Sequence, residues 1–416
     1  MPLLQRILIL AISILFICCQ ENTTTSPNYS AGTKEISLTE IWDGTFSTKR
    51  MNALNAMNGD FYSLLNTDSV GNSTVDKYSY KTLKKTEVIV NSGDLEGLER
   101  FSSYRFNADE SSVILGTNFK KIYRHSFTGS FYHYNIRTQK LHLIGKDIQE
   151  PTFSPNGKKI AFAKKNNLYI LNLTTGNAVT QVTKDGRFNH IINGITDWVY
   201  EEEFAFVRAF EWSKNSNYLA FLRFDESKVP NFSMDIVGKN NYPQQQVFKY
   251  PKAGEKNARV TLHVFNCTSK KTNKISLGAY EYIPRIKWST SANILVATTL
   301  NRHQNNLKLH KVAVANNKVT ILLNETDTAY LNITDNLTFL NDNSFIWTSE
   351  KDGYNHIYHY DFSGKLINQI TNGKWEVTKY YGYNKKKKTI YYQSVENGSI
   401  NRGVYSIELD GGNKKL

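Results

Sequence analysis

A strand-pair unit recurs seven times along this chain, and a repeat of that period constrains the fold more tightly than any other feature of the sequence. Each unit opens near an aromatic residue or Met57, passes through a turn rich in Asn, Asp or Gly, and continues as an alternating apolar run into a second aromatic strand. The starts fall near Met57, Phe106, Phe153, Trp212, Trp288, Phe339 and Tyr381, at spacings of 49, 47, 59, 76, 51 and 42 residues. One four-stranded propeller blade takes about 40 to 50 residues. The spacing therefore predicts an all-β protein, a β-propeller of about seven blades with insertions in its fourth unit. Partner strands are visible in the same units, at 167–173 and 356–362. Two unrelated β-sandwiches would explain the alternation but not the recurrence. A single twisted sheet cannot bury both faces, so stacked neighbours must supply the core. The Trp, Tyr and Phe stripes are accordingly predicted to be packing between blades rather than a cofactor box.

Composition agrees, with 13% aromatic and 21% charged residues in 416. Lys+Arg 51 against Asp+Glu 37 leaves a net charge of +14. The basic residues are spread along the chain, so no nucleic-acid partner is expected. The one dense cluster, Lys385 to Lys388, lies between two aromatic strand patterns and reads as a solvated hairpin turn. Arg6 followed by the apolar run Ile7 to Ile17 has the form of a signal peptide, too short to span a bilayer as a mature helix. Cys18 and Cys19 close that run where a bacterial lipoprotein signal places its lipidated cysteine. Ile17 is not small, which leaves both Cys18 and Cys19 as candidates and a simple secretory signal as the alternative. The predicted organisation is a signal peptide at 1–19, a polar tether at 20–35 and a propeller at 36–416, in an exported protein touching a membrane only through its lipid. Cys267 then stands alone, so no intramolecular disulfide framework is expected. The histidines lack ligand spacing and there is no CxxC, so no metal and no cofactor are expected.

One segment does not read as packing. Asp197-Trp198-Val199-Tyr200-Glu201-Glu202-Glu203-Phe204 sets three consecutive carboxylates among aromatic residues. Such a cluster is either a solvated helix face or a receptor for positive charge, because adjacent carboxylates repel until a cation arrives. Spacing alone favours the solvated face.

That segment resembles the glutamate motif of the dipeptidyl peptidase IV family of serine exopeptidases, particularly its exported bacterial members. Phe224 to Phe232 (FDESKVPNF), Tyr250 to Asn257 (YPKAGEKN), Tyr282 to Trp288 (YIPRIKW), Asn301 to Asn305 (NRHQN) and Ser349 to Tyr358 (SEKDGYNHIY) are similar to family signatures in the family's order. The resemblance runs from about Ile36 to the C-terminus and implies a propeller of the eight-bladed type. It also implies that a glutamate pair binds the free α-amine of a peptide. By motif position the pair is Glu202 and Glu203, with Glu201 and Tyr200 as weaker candidates. Tyr123-Arg124-His125-Ser126 matches the family stretch whose arginine contacts the substrate carbonyl and steadies the glutamates, which gives that role to Arg124.

Family members cleave with a Ser-Asp-His triad in an α/β-hydrolase domain entered by a GxSxG elbow, and no GxSxG occurs in these 416 residues. No catalytic residue is nominated. Two functions fit: the substrate-recognition propeller of a dipeptidyl peptidase, inactive unless a separate hydrolase polypeptide completes it, or a stand-alone exported propeller that binds peptide N-termini. A homodimer formed through the propeller is a further option. Seven blades of an expected eight would also leave open blade faces and poor monodispersity.

Overall fold

The turns show how these residues make strands. In Phe153-Ser154-Pro155-Asn156-Gly157 the Ser154 hydroxyl donates to Asn156 Oδ1 (2.8 Å) and accepts from the Lys159 amide (3.0 Å), with Gly157 at φ +68°. Trp212-Ser213-Lys214-Asn215-Ser216 repeats the device: Ser213 Oγ donates to Asn215 Oδ1 (2.7 Å) and accepts from the Tyr218 amide (2.9 Å), with Ser216 at φ +61°. Local side-chain bonds to the backbone thus reverse the chain, and the apolar alternation continues on the returning strand.

A computed structural model describes residues 35–48 and 52–416. The signal peptide, Cys18 and Cys19, and the tether apart from Glu35 lie outside the described residues. The chain divides into two compact units, 1–52 and 53–416. In the first, helix α1 (Leu38–Trp42) starts at a capping box between Ser37 and Glu40.

The second unit is a succession of antiparallel sheets, seven in chain order. Sheet I spans 55–91 in four strands, and sheet II runs from Ser103–Phe106 into the long strand Lys140–Phe153. That strand continues into sheet III, which ends at Ala178–Gln181, so sheets II and III are hydrogen-bonded as one. The join bends at Asp147 and Glu150, both at positive φ, and the pairing register shifts between Gln149 and Thr152. Sheet IV is built on Phe210–Trp212, Tyr218–Asp225, Arg259–Asn266 and Thr272–Ile275, with Ile191–Asn193 also paired to Tyr218–Asp225. Sheet V spans 282–326 and sheet VI 338–369, each four-stranded; sheet VII spans 377–408 in three strands, with a further bridge from Ser406 to Lys415.

The seven predicted unit starts all fall in strands, six of them (Met57, Phe106, Phe153, Trp212, Trp288 and Phe339) at the last residue of the strand and Tyr381 inside Val377–Asn384. The long fourth spacing holds an inserted hairpin, Asn231–Ile236 with Gln244–Lys249. Lys385 to Lys388 form an exposed hairpin turn, as expected. Cys267 is buried and free.

Apolar packing runs across every seam between consecutive sheets. Val75 and Leu115 join sheets I and II, and Ile114 and Ile160 join II and III; Leu168, Phe221, Leu295 and Trp347 belong to the cluster running from III to VI, and Ile346 and Tyr392 join VI and VII. The starting aromatics also bind across the seams, with Trp212 Nε1 donating to the Thr152 carbonyl (3.3 Å) and Trp288 Nε1 to the Glu211 carbonyl (3.0 Å). Trp288→Phe keeps most of the apolar contact and deletes the donor, so the seam loses its hydrogen bond to the Glu211 carbonyl. The expected loss is about 1–2 kcal/mol in urea unfolding, and an unchanged midpoint would contradict the assignment.

Candidate functional site

Helix α2 (Trp198–Glu203) sets the directions of the three glutamates. Its N-cap Asp197 accepts a hydrogen bond from the Tyr200 amide (3.0 Å), which starts the helix at Trp198. Tyr200 then fixes the rotation. It is 1% exposed, its ring meets Phe204, Phe206, Phe224 and Tyr282, and its hydroxyl accepts from the Ile283 amide (2.9 Å). With that face committed to the core, each following residue turns by about 100° and the carboxylates diverge.

Glu201, 1% exposed, points into the protein and accepts from the backbone amides of His125 (2.6 Å) and Ser126 (2.8 Å). Glu202 Oε2 receives Arg124 Nε at 2.8 Å, the carboxylate side chain 16% exposed and the arginine 69%. Glu203 is exposed and has no hydrogen-bond or ion-pair partner among the described residues. Arg124 and Glu202, 78 positions apart in sequence, are thereby brought together, and Glu203 follows Glu202 on the same helix. Of the weaker candidates, Tyr200 lies in the core, with its hydroxyl accepting from Ile283. Glu201 likewise has its carboxylate engaged by backbone.

The loop carrying Arg124 is closed by Ser126, whose carbonyl accepts from Ile122 N (2.9 Å) and whose hydroxyl accepts from Tyr123 N (3.2 Å). Aromatic rings at the base of the inserted hairpin back both halves of the site. Tyr250 packs on Trp198 (4.4 Å between centroids) and on Phe232 (5.3 Å), and Phe248 packs on Tyr123 (5.7 Å). Phe232 and Tyr250 end and begin the FDESKVPNF and YPKAGEKN stretches, although the sequence did not single out these rings as part of the site.

Two further carboxylates lie buried behind the site. Burial, against the bonds from the Tyr200 and Asp197 amides, pushes Asp197 up to about 6. Burial also lifts Glu226 to about 7, helped by the charges of Asp197 and Asp225 and opposed by Lys249. The Tyr123 hydroxyl is raised by burial and by Glu226, Asp197 and Glu201. Beside the site opens a cavity of about 560 Å³ whose wall includes His125, Ala205, Phe206, Arg208, Arg285 and Asp335. Its walls adjoin Arg124 through His125 and the end of α2 through Ala205. The arrangement can hold a cation at Glu203 while Arg124 balances Glu202, with an open cavity alongside for what the cation is attached to.

Residues 107–416 match the family described as the dipeptidyl peptidase IV (DPP IV) N-terminal region. The chain is 31% identical over 327 residues to a protein named probable dipeptidyl peptidase 4 of Aspergillus clavatus, covering 73% of this chain and 42% of that one. It is 30% identical over 330 residues to dipeptidyl peptidase 4 of Trichophyton equinum, covering 74% and 42%. Its fold superposes on the crystal structure of Porphyromonas gingivalis dipeptidyl peptidase 4 with a TM-score of 0.86 at 34% identity, over 92% of this chain and 55% of that one. The chain thus spans about half or less of the length of these relatives. The sheets are those of the family's propeller, and on these matches the chain belongs to the dipeptidyl peptidase IV family, whose N-terminal region it contains.

Proposed function

We propose that this chain holds the free N-terminus of a peptide, as the substrate-recognition part of a dipeptidyl-peptidase-type activity. Supporting the reading is the pairing of Arg124 with Glu202 at 2.8 Å beside an open carboxylate, Glu203. A peptide ammonium brings three donors, and two neighbouring carboxylates offer enough acceptors to take them as charge-assisted bonds. Arg124 keeps the pair from repelling and has further N–H groups for a peptide carbonyl. Peptide-bond cleavage then requires a hydrolase part with its own nucleophile, since these 416 residues contain no GxSxG elbow.

Titration calorimetry with a short peptide and its N-acetylated form tests the reading. The free-amine form should bind at least about tenfold more tightly, and Glu203→Gln should remove the difference. Equal affinities of the two forms for the unsubstituted protein would overturn it.

A further inference from the structure

We infer that Glu201 is a positioning residue of the amine site: it binds no ligand itself but locks the Arg124 loop onto helix α2, so that Arg124 meets Glu202. The inference rests on the peptide-amine reading above for its functional consequence, though the lock itself does not. Consecutive residues of α2 grip consecutive residues of the loop. Glu201 Oε1 takes the amides of His125 (2.6 Å) and Ser126 (2.8 Å), while Glu202 Oε2 takes the guanidinium of Arg124 (2.8 Å). The first contact is buried and the second is open to solvent, with Arg124 69% exposed. An exposed ion pair between two long side chains is worth little alone, because holding both in one rotamer costs what the charges gain. A buried carboxylate bonded to two adjacent amides is far less yielding, since releasing it leaves two N–H groups and a charge without partners.

The loop's own bonds do not replace that anchor. Ser126 closes the turn onto Ile122 and Tyr123, which shapes the loop internally but ties it to no other element. Among the described residues, the Tyr123 ring on Phe248 and the Glu202–Arg124 pair add to the Glu201 contact in holding the tip of the loop, which is otherwise carried by its flanking strands. Arg124 therefore depends on its neighbours' amides for its place, and the residue that receives them lies about 75 positions away in sequence. This also accounts for a third glutamate in a motif where two suffice for an ammonium.

The test joins exchange and binding. In the full chain, the His125 and Ser126 amides should be protected from hydrogen exchange, and Glu201→Ala should speed their exchange at least about tenfold. Glu201→Ala should weaken free-amine peptide binding about tenfold, while Glu201→Gln, which keeps an acceptor of the same length, should stay within about threefold. Adding Glu201→Ala to Arg124→Ala should cost nothing further, because a residue acting through Arg124 has nothing to position once the arginine is gone. Should Glu201→Ala lose its cooperative melt, Glu201→Asp keeps the charge, shortens the reach and takes its place in the series. Unchanged exchange at 125 and 126, or losses that add in the double variant, would overturn the inference. Glu203→Gln, measured alongside, reads the amine site independently of the loop: a free-amine preference surviving it sinks the parent reading, whatever the exchange result.

Discussion

Gly364→Ala should cost the propeller about 4 kcal/mol, enough to be the most damaging single methyl group that can be added to sheet VI. Gly364 lies in the turn between His356–Tyr360 and Leu366–Gln369, at φ +90°, and a Cβ there would sit 1.7 Å from the carbonyl oxygen of Leu322. Leu322 belongs to Lys318–Thr326, the last strand of sheet V, so the collision is backbone against methyl across a seam. No rotamer change can relieve it. The turn cannot easily shift either, because Asp361 Oδ1 accepts from the amides of Ser363 (2.8 Å) and Lys365 (3.0 Å), and Lys311 of sheet V donates to the Phe362 carbonyl (3.0 Å). The left-handed backbone accounts for about 1–2 kcal/mol. Overpacking at a seam that cannot relax supplies the remainder. Gly353→Ala is the control: φ is +99° there, but nothing lies within 4 Å, so only the backbone cost of about 1–2 kcal/mol should appear. Urea unfolding of both variants separates the contributions, and equal losses would show that the seam contact carries no weight.

That seam also explains why the architecture was legible from the sequence. Each sheet needs a neighbour, the neighbours meet through aromatics near the end of the first strand, and those aromatics recur at the period of the sheet. Trp212 and Trp288 mark the repeat because they reach back to the preceding sheet. What the repeat could not convey is where the chain departs from it. The continuous strand Lys140–Phe153 bends at Asp147 and Glu150, whose positive φ values carry no glycine signal. The hairpin 231–249 appeared only as surplus length, because the segment Gln244–Gln246 has no apolar alternation to announce a strand. At the site, the acidic triplet and the Tyr123–Ser126 stretch could be matched to family motifs. Three identical side chains in a row, however, contain no clue to which one faces inward. That is set by Asp197 capping the helix and by Tyr200 entering the core, both tertiary facts. Glu226, inside the FDESKVPNF stretch, gave no sign in the sequence that its side chain would be 5% exposed.

Glu226 and Asp197 should make the protein less stable as pH rises through the range from about 4 to about 7. Both are carboxyls raised above their unfolded values, from 4.5 to about 7 and from 3.8 to about 6, chiefly by burial. Between the unfolded and folded values the native state holds more protons than the unfolded chain, so raising the pH favours unfolding until both groups are ionised. The groups acting on Glu226 are Asp197 at the head of α2, Asp225 beside it and Lys249 at the end of the inserted hairpin; only the lysine eases its ionisation. The raised value of Glu226 alone corresponds to about 3 kcal/mol at pH 8. Because Asp197 is one of the causes of the Glu226 shift, the two penalties will not simply add. Glu226→Gln keeps the shape and removes the charge. It should match the unsubstituted protein near pH 5, exceed it by about 2–3 kcal/mol at pH 8, and flatten the decline between them. Asp197→Asn retains an acceptor for the Tyr200 amide and should flatten the same profile to a smaller extent, since Glu226 remains. Unfolding midpoints at half-unit pH steps decide the matter: profiles that stay parallel in all three proteins would mean that these carboxylates are solvated or paired in solution. If the slopes do separate, the protein keeps two unfavourable charges buried at the head of the helix that presents Glu202 and Glu203. That placement costs stability at neutral pH and makes the site's potential more negative, which suits a receptor for an ammonium group.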